Sequence, residues 1–466
     1  MNALYDHLYD YLGGYMFIAL ALLIFSGFPV GLTLGGIALL FALGGIGLDV
    51  MHPSELYLFI ERLWQNAASN QILVAVPCFV FMGIMLEKSN VAERLLHVMQ
   101  VLLRRVPGSL ALSVALLGTI LAAMTGIIGA SVVMLTMMAL PAMVAQKYDP
   151  RLSTGTIAAS ATLGILIPPS IMLIVMGDLM SISVGNLFLA AVVPGLMLAS
   201  FYCIYVTVIA VVKPQVAPPV ARDEDEVGIA NILLMLLKGL LPVTFLIILV
   251  LGSIFAGWAT PTEAAGIGAF GAILLAWFNG QLTRSTLNQV CFDTAMTSAM
   301  IFLIIGGATA FSYVFRALYG EDLILDFIAW MGLSHWGLLL LLMVVIFLLG
   351  FFFDWLEITL IILPVFAPVI ASFTPDFAPA LGLDGLAIDE QKSMVLLWFA
   401  ILVAVNLQTS FLTPPFGFAL FFLKGTAPPS ITIQHIYKGI IPFVGIQLFA
   451  LLVLALFPSI VFMLLR

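Results

Sequence analysis

Long apolar runs alternate with short polar segments along almost the whole chain. Runs such as 31–48, 184–212 and 229–255 are long enough to cross a bilayer as helices, and similar runs recur up to the C-terminal end. The polar segments that separate them, such as 52–71, are mostly short. The pattern predicts an all-α polytopic membrane protein.

Two of the apolar runs are interrupted by pairs of prolines. The run from Ser160 to Ser170 contains Pro168–Pro169, and the run 406–417 contains Pro414–Pro415. A proline has no N–H, and its ring clashes with the preceding turn, so each run is predicted to be a broken helix. Backbone groups freed at bilayer depth are tolerated only where they line a cavity or are buried in protein. Each break is therefore a candidate site.

The second half of the chain repeats features of the first. When the two proline pairs are aligned and a two-residue gap is allowed after them, Gly177 corresponds to Gly425 and Pro194 to Pro442. Broken helices at matching places in two halves are the best sequence indication of a transporter's binding site. The hydrophilic, proline-rich segment 213–228 separates the halves and is predicted to be a cytoplasmic linker. The first predicted repeat, 1–212, comprises scaffold spans 1–106, hairpin 107–145, broken helix 151–177 and span 184–212. The second predicted repeat, 229–466, comprises scaffold spans 229–318, hairpin 335–373, broken helix 394–423 and last span 440–465.

Basic residues predict the orientation of the halves. With the N-terminus outside and with 107–145 and 335–373 as re-entrant hairpins, twelve of the 16 Lys and Arg residues fall on the cytoplasmic side. This arrangement obeys the positive-inside rule, and it gives about ten spans, two hairpins and two inverted repeats. If 107–145 instead spans once, the later topology inverts.

Composition excludes several other classes of protein. The chain is 63% hydrophobic and 9% charged, far from the range of soluble domains. The three cysteines show no metal-ligand spacing, and their odd number argues against a disulfide framework. We expect no cofactor, no transition metal and no nucleic-acid partner. No G-x-x-x-x-G-K-[ST] motif is present, and the five histidines fall at or near segment ends, which argues against an ATPase or a membrane enzyme.

Small polar residues surround both breaks and the centres of both hairpins. Freed carbonyls and hydroxyls suit a hard cation such as Na⁺, and half-helix N-termini suit an anion. The predicted cation-binding residues are Ser131, Ser160, Thr162, Gly164, Pro168, Asp354, Thr409, Ser410, Thr413 and Pro414, of which Pro168 and Pro414 are implied by a resemblance to a known family. The predicted substrate-binding residues are Thr125, Gly126, Gly129, Ser170, Glu357, Asn406 and Gly417, and Thr136, Thr359 and Gln408 lie near the same places.

Asp354 is the sharpest single candidate, because a carboxylate at bilayer depth is costly and persists only with a cation, a proton or a partner. The other interpretation is that it reaches a water-filled vestibule from a hairpin tip. Arg316 lies near the outer end of a span, where a snorkelling role is expected.

Three further patterns predict local structure. The amphipathic stretch 87–105 is predicted to lie in the membrane interface, with an ordinary connecting helix as the alternative. Thr260-Pro261-Thr262-Glu263 predicts a capping box at a helix start. A polar helix over 281–293 is predicted to precede a separate span over 294–318.

Three motifs in combination resemble a known family. They are Gly164-Ile165-Leu166-Ile167-Pro168-Pro169-Ser170, the run from Gly350 to Asp354 and Leu412-Thr413-Pro414-Pro415. Together they resemble the large membrane subunit of TRAP (tripartite ATP-independent periplasmic) transporters, and the similarity covers essentially the whole chain.

The resemblance implies a Na⁺-driven, elevator-type importer in a bacterial inner membrane. It implies a small four-helix membrane subunit and a periplasmic solute-binding protein as partners. It also implies a small organic anion as substrate, and contact of the protein with membrane lipid. It also implies that one Na⁺ site joins Ser131 to 164–168 and another joins Asp354 to 409–414. A stand-alone Na⁺-coupled carrier of di- or tricarboxylates on a related architecture is the alternative.

Overall fold

The structure is a computed structural model that describes residues 2–25, 27–89, 91–125, 128–218, 237, 239–415 and 417–465, with side chains outside 2–10, 25 and 122–125. All regular secondary structure in these ranges is helical, which confirms the predicted all-α fold. Residues 219–228 of the predicted linker and residues 229–236 of the predicted span 229–255 lie outside the described residues.

Ten helices make up the described part of the first half. They are α1 Asn2–Phe25, α2 Val30–Gly47, α3 Glu55–Leu63, α4 Ala75–Lys88, α5 Val91–Leu103, α6 Ser109–Thr125, α7 Ile128–Ala145, α8 Pro150–Thr162, α9 Ile171–Leu179 and α10 Val184–Val212. A π-helical turn, Trp64–Ala68, follows α3, and a 3₁₀ turn, Leu163–Ile165, follows α8.

Ten further helices are described in the second half. They are α11 Leu241–Phe255, α12 Pro261–Phe278, α13 Arg284–Ala317, α14 Gly320–Met331, α15 His335–Leu349, α16 Trp355–Ser372, α17 Thr374–Phe377, α18 Ile388–Ser410, α19 Phe418–Thr426 and α20 Ile433–Leu456. A short 3₁₀ turn, Pro458–Ile460, follows α20.

Helix length and composition confirm a multi-pass membrane protein. Within the described ranges, 8 helices are long and apolar enough to cross a bilayer, or up to 10 if two bent helix pairs are each counted as one span. One bent pair joins α3 and its π-helical turn to α4 through a 48° bend, and the other joins α14 to α15 through a 117° bend. The chain is therefore a polytopic helical protein.

Each predicted hairpin consists of two helices. Residues 107–145 form α6 and α7, which pack against each other, and residues 335–373 form α15 and α16 with a turn at 350–354 between them. Both predicted broken helices are also present as pairs: α8 and α9 flank the first proline pair, and α18 and α19 flank the second. Both Pro–Pro peptide bonds are cis.

The helices group into two compact units, each assembled from distant parts of the chain. The first unit comprises Met1–Leu73, Ala295–Val344 and Leu356–Leu396. The second comprises Val74–Thr294, Val345–Trp355 and Leu397–Arg466. The second unit contains both proline pairs, the first hairpin and the turn that carries Asp354.

Several predicted boundaries differ from the observed ones. A single 34-residue helix, α13, replaces the predicted polar helix 281–293 and span 294–318, because no glycine or proline interrupts the backbone where the polarity changes. The last helix, α20, ends at Leu456, before Pro458, rather than near Leu465. A change in polarity alone is thus a poor indicator of a helix end.

Local capping at Thr260 follows the prediction. The Thr260 hydroxyl accepts the N–H of Glu263, and the Glu263 carboxylate accepts the N–H of Thr260, so the capping box that starts α12 is confirmed. In α5, the apolar stripe that includes Leu95, Val98 and Met99 is buried, and the helix packs against α4 and α6. This contact favours the connecting-helix alternative for 87–105.

Candidate functional site

The first proline pair leaves two backbone carbonyls without their helical donors. In a continuous helix, the carbonyls of Gly164 and Ile165 would accept the N–H groups of residues 168 and 169, which are both prolines. The side chain of Ser170 donates a hydrogen bond to the Ile165 carbonyl. Of these two carbonyls, that of Gly164 is therefore the one that the break makes available to a ligand.

The second break repeats this arrangement with a different cap. Pro414 and Pro415 deprive the carbonyls of Ser410 and Phe411 of their helical donors. The Phe411 carbonyl instead accepts the N–H of Ala419 at 3.2 Å. Gly164 and Ser410 occupy equivalent positions when the proline pairs are aligned, so each repeat offers one carbonyl in the same place.

Most hydroxyls at the breaks donate to carbonyls of their own helix. Thr162 donates to Ala159 at 2.9 Å, Thr409 to Asn406 at 2.7 Å and Ser410 to Leu407 at 2.6 Å. Thr413 donates in the same way to the Thr409 carbonyl. A hydroxyl that has used its proton keeps oxygen lone pairs, so these groups are acceptors and suit a cation better than an anion.

Ser160 differs from these hydroxyls. It is fully buried, and its Oγ has no hydrogen-bond partner among the described residues. Thr156, one turn earlier on α8, is buried with an unpaired Oγ1 in the same part of the chain. Thr156 is not among the predicted site residues, although the four-residue spacing of the two hydroxyls on an apolar helix would have indicated it. Buried polar atoms of this kind mark a place where a water or ligand is expected.

The first hairpin packs directly on the first broken helix. A Cβ at Gly118 of α6 would overlap the Cβ of Ser160, so only glycine allows α6 and α8 to approach this closely. The 3₁₀ turn at 163–165 also contacts α6. Gly129, at the start of α7, lies against the ring of Phe422 on α19, where an added Cβ would approach the ring to 2.9 Å. The hairpin thus contacts elements of both broken helices, and Ser131, two residues on, is buried.

The turn of the second hairpin meets the second broken helix in the same way. A Cβ at Gly350 would approach the Cβ of Ser410 to 2.5 Å, so the turn at 350–354 begins against Ser410. Ser410 is the residue whose carbonyl has no helical donor because of Pro414. Asp354 is the last residue of that turn. This contact brings the start of the acidic turn and the second break together.

Asp354 occupies the position before the first residue of α16. It is half-buried, and its Oδ1 accepts the N–H of Trp355 at 2.8 Å. A carboxylate at a helix N-terminus is stabilised by the free N–H groups and by the helix dipole. When Asp354 is ionised, its carboxylate can form an ionic interaction with a cation.

The remaining predicted residues fall in different places. Ser170 caps α9 by accepting the N–H of Leu173, Asn406 is buried within α18, and Gly417 directly precedes α19 with φ +21°. Glu357 is half-buried in the first turn of α16, in the other compact unit. The side chain of Thr125 and residue Gly126 lie outside the described residues.

A further buried amide lies near the second break. Gln408 is fully buried on α18, and neither end of its side chain has a hydrogen-bond partner in the described part of the chain. It corresponds to Thr162 when the proline pairs are aligned. An amide offers both a donor and an acceptor, so Gln408 adds a neutral polar group to the second break.

The helices and the paired proline breaks define a membrane carrier with two related halves. The family model described as "Tripartite ATP-independent periplasmic transporter, DctM component" matches residues 17–460, and the chain belongs to this family. The resemblance to TRAP large subunits that the motifs indicated is thereby confirmed.

Individual relatives share about a quarter of their residues with the chain. The C4-dicarboxylate TRAP transporter large permease protein DctM of Pseudomonas aeruginosa is 28% identical over 418 residues, covering 90% of this chain and 91% of that protein. The sialic acid TRAP transporter large permease protein SiaM of Vibrio cholerae is 27% identical over 447 residues, with 94% of each chain covered. The ectoine TRAP transporter large permease protein TeaC of Halomonas elongata is 27% identical over 442 residues, covering 94% of this chain and 95% of that protein.

Among solved structures, the YdaH transporter of Alcanivorax borkumensis is similar to this chain with a TM-score of 0.58 and 16% identity. The similarity covers 87% of this chain and 89% of that one. At this identity the likeness shows a shared fold alone.

Proposed function

We propose that this large permease imports a small organic acid across a bacterial inner membrane, coupled to Na⁺, by an elevator-type alternating-access mechanism. A periplasmic solute-binding protein delivers the substrate, and a small four-helix membrane subunit completes the transporter. The tripartite description of the family supports the two partners. The chain's predicted orientation, with most basic residues inside, supports the inner-membrane location.

The pair of proline-freed carbonyls carries the proposal of Na⁺ coupling. Gly164 and Ser410 each expose a carbonyl at a break that contacts a hairpin, and neighbouring hydroxyls have already donated their protons. Oxygen acceptors without protons are the ligands that hard cations prefer. The first cation site is assigned to Ser131, Ser160, Thr162, Gly164 and Pro168, and the second to Asp354, Thr409, Ser410, Thr413 and Pro414.

The two proposed cation sites differ in charge. The hydroxyls, carbonyls and amides of the first are neutral, whereas the second includes the Asp354 carboxylate. A carboxylate at bilayer depth is more stable when a cation neutralises it, so Na⁺ binding at the second site is expected to be the tighter of the two.

An organic anion is the substrate that the half-helices suit. The breaks are followed by the N-termini of α9 and α19, and the positive dipole end of a helix suits an anion, although the N–H groups of Leu173, Ala419 and Leu420 already make capping bonds. The names of three relatives refer to C4-dicarboxylates, sialic acid and ectoine. Membership of the family therefore does not identify which organic acid this chain transports. The residues assigned to it are Thr125, Gly126, Gly129, Ser170, Glu357, Asn406 and Gly417.

Reconstitution tests the proposal. The large permease is placed in liposomes with its two partner proteins, and uptake of the acid bound by the partner is measured under an inward Na⁺ gradient and under a matched K⁺ gradient. Uptake is expected only with Na⁺ and only with all three proteins. Uptake by the large permease alone would favour a stand-alone carrier, and uptake independent of Na⁺ would refute coupling to this ion.

A further inference from the structure

The second arm of the second hairpin, α16, carries two internal prolines. Pro368 has no N–H, so the carbonyl of Pro364, four residues earlier, loses its helical donor. An unpaired carbonyl in an apolar setting is costly and is normally paired with another group. The sequence therefore creates a free acceptor in the middle of this arm.

Arg316 supplies the missing donor. Its Nη2 lies 2.8 Å from the Pro364 carbonyl oxygen, and its Nε lies 2.6 Å from Oε1 of Glu321. The guanidinium therefore donates a hydrogen bond to the Pro364 carbonyl and forms an ion pair with Glu321. Arg316, which was expected to snorkel, is exposed, and its side chain also bonds to the backbone of another helix.

The chain around Arg316 fixes its position. Arg316 lies in the last turn of α13 and Glu321 in the first turn of α14, where each charge is favourable to its helix dipole. Between them, Tyr319 adopts φ +55°, and Gly320 packs so closely on the ring of Phe315 that a Cβ would overlap it. The tight turn keeps the guanidinium between the two helix ends.

We propose that Arg316 is a positioning residue that clamps α16 to the end of α13 through the Pro364 carbonyl. The clamp acts on the helix that begins directly after Asp354 and carries Glu357 in its first turn. Holding this arm in place sets where the acidic start of α16 lies. Any effect of the clamp on Na⁺ binding rests on the proposed function of Asp354.

Hydrogen–deuterium exchange of α16 tests the clamp without any transport assay. Arg316→Gln is expected to speed amide exchange in residues 358–372 about tenfold, because a hydrogen bond from a charged donor is lost. Arg316→Lys retains one donor and is expected to show a smaller increase. Lys392→Gln removes the same charge from an exposed position in α18 and is the matched control, expected to leave α16 unchanged.

The decisive variant restores the missing donor within the helix. In Pro368→Ala, residue 368 regains an N–H that the Pro364 carbonyl can accept, so Arg316 is no longer needed. Adding Arg316→Gln to Pro368→Ala is then expected to leave exchange in α16 unchanged. An equal increase in both backgrounds, or no increase in either, would overturn the clamp.

Transport measurements separate the clamp from the proposed coupling. Arg316→Gln is expected to raise the half-saturating Na⁺ concentration at unchanged protein level in the membrane, and Pro368→Ala is expected to suppress this rise. If exchange responds as expected while uptake by the wild-type protein shows no Na⁺ dependence, the clamp stands and the proposed coupling fails. If exchange does not respond, the clamp fails whatever the uptake shows.

Discussion

A single carboxylate distinguishes the two breaks at the residue scale. Asp354 precedes α16 and accepts the N–H of Trp355, so the helix start stabilises its anionic form. A carboxylate has several acceptor lone pairs on its two oxygens, and the capping bond uses one of them. Helix capping and cation binding are thus compatible roles for the same side chain.

Asp354→Asn tests the coupling role. The amide can still accept a hydrogen bond from the helix start, but it has no charge to offer a cation, so Na⁺-dependent uptake is expected to be abolished while the protein level in the membrane is unchanged. Asp384→Asn makes the same chemical change in an exposed loop and is the control. Normal uptake by Asp354→Asn would remove this residue from the coupling site.

Each hydroxyl around the breaks is expected to contribute less to Na⁺ binding than the carboxylate. Thr409→Ala or Ser131→Ala is expected to raise the half-saturating Na⁺ concentration roughly two- to tenfold, the range that one lost polar contact gives. The matched control is Ser200→Ala, because Ser200 also donates to its own helix, at 2.7 Å to Leu196, but is exposed. An unchanged Na⁺ requirement in the Thr409 and Ser131 variants would exclude them as ligands.

At the scale of elements, the proline pairs interrupt two apolar helices and make each break a candidate site. The property that matters is a missing N–H, which leaves the carbonyls of Gly164 and Ser410 available. Pro414→Ala supplies an N–H to the Ser410 carbonyl and is expected to lower apparent Na⁺ affinity about tenfold. Pro442→Ala, within the unbroken helix α20, is the control, and equal effects of the two substitutions would refute a local role for the break.

Glycines set how closely the helices around the first break approach. Gly155 of α8 and Gly439 of α20 lie backbone to backbone, so a Cβ at Gly155 would overlap the Gly439 carbonyl. Gly155→Ala is expected to destabilise the protein by about 1–3 kcal/mol, measured as a lower thermal midpoint in detergent. Gly445→Ala, on α20 with open space around it, is expected to have little effect. Similar midpoints for both variants would contradict this packing.

At the scale of the whole molecule, the charge pattern makes a prediction about orientation. The linker 213–228 is expected to be cytoplasmic and the N-terminus periplasmic, because most basic residues then lie inside. A reporter that is active only in the cytoplasm should therefore work when fused within the linker and fail at the N-terminus. The same result at both places, active or inactive, would show that 107–145 spans once and does not fold back as a re-entrant hairpin, and the reverse result would show that the whole orientation is inverted.

Much of this architecture was predictable because its causes are local. Apolar runs, paired prolines and the Thr260 capping box each depend on residues close in the chain, and the observed helices and capping bonds agree with them. The continuous helix α13 was not predicted, because polarity indicates the environment of a helix and not where its backbone ends. Thr156 was missed because its burial depends on neighbours from other helices.

The sequence by itself determined the class of protein, the two helix breaks and the four carbonyls that the prolines deprive of helical donors, since hydrophobicity and a missing N–H are properties of the residues themselves. The tertiary structure alone decided that Gly350 meets Ser410, that Ser160 lies unpaired against Gly118 and that Arg316 bonds to a carbonyl 48 residues away. These contacts depend on which helices become neighbours, and that choice follows from packing across the whole fold.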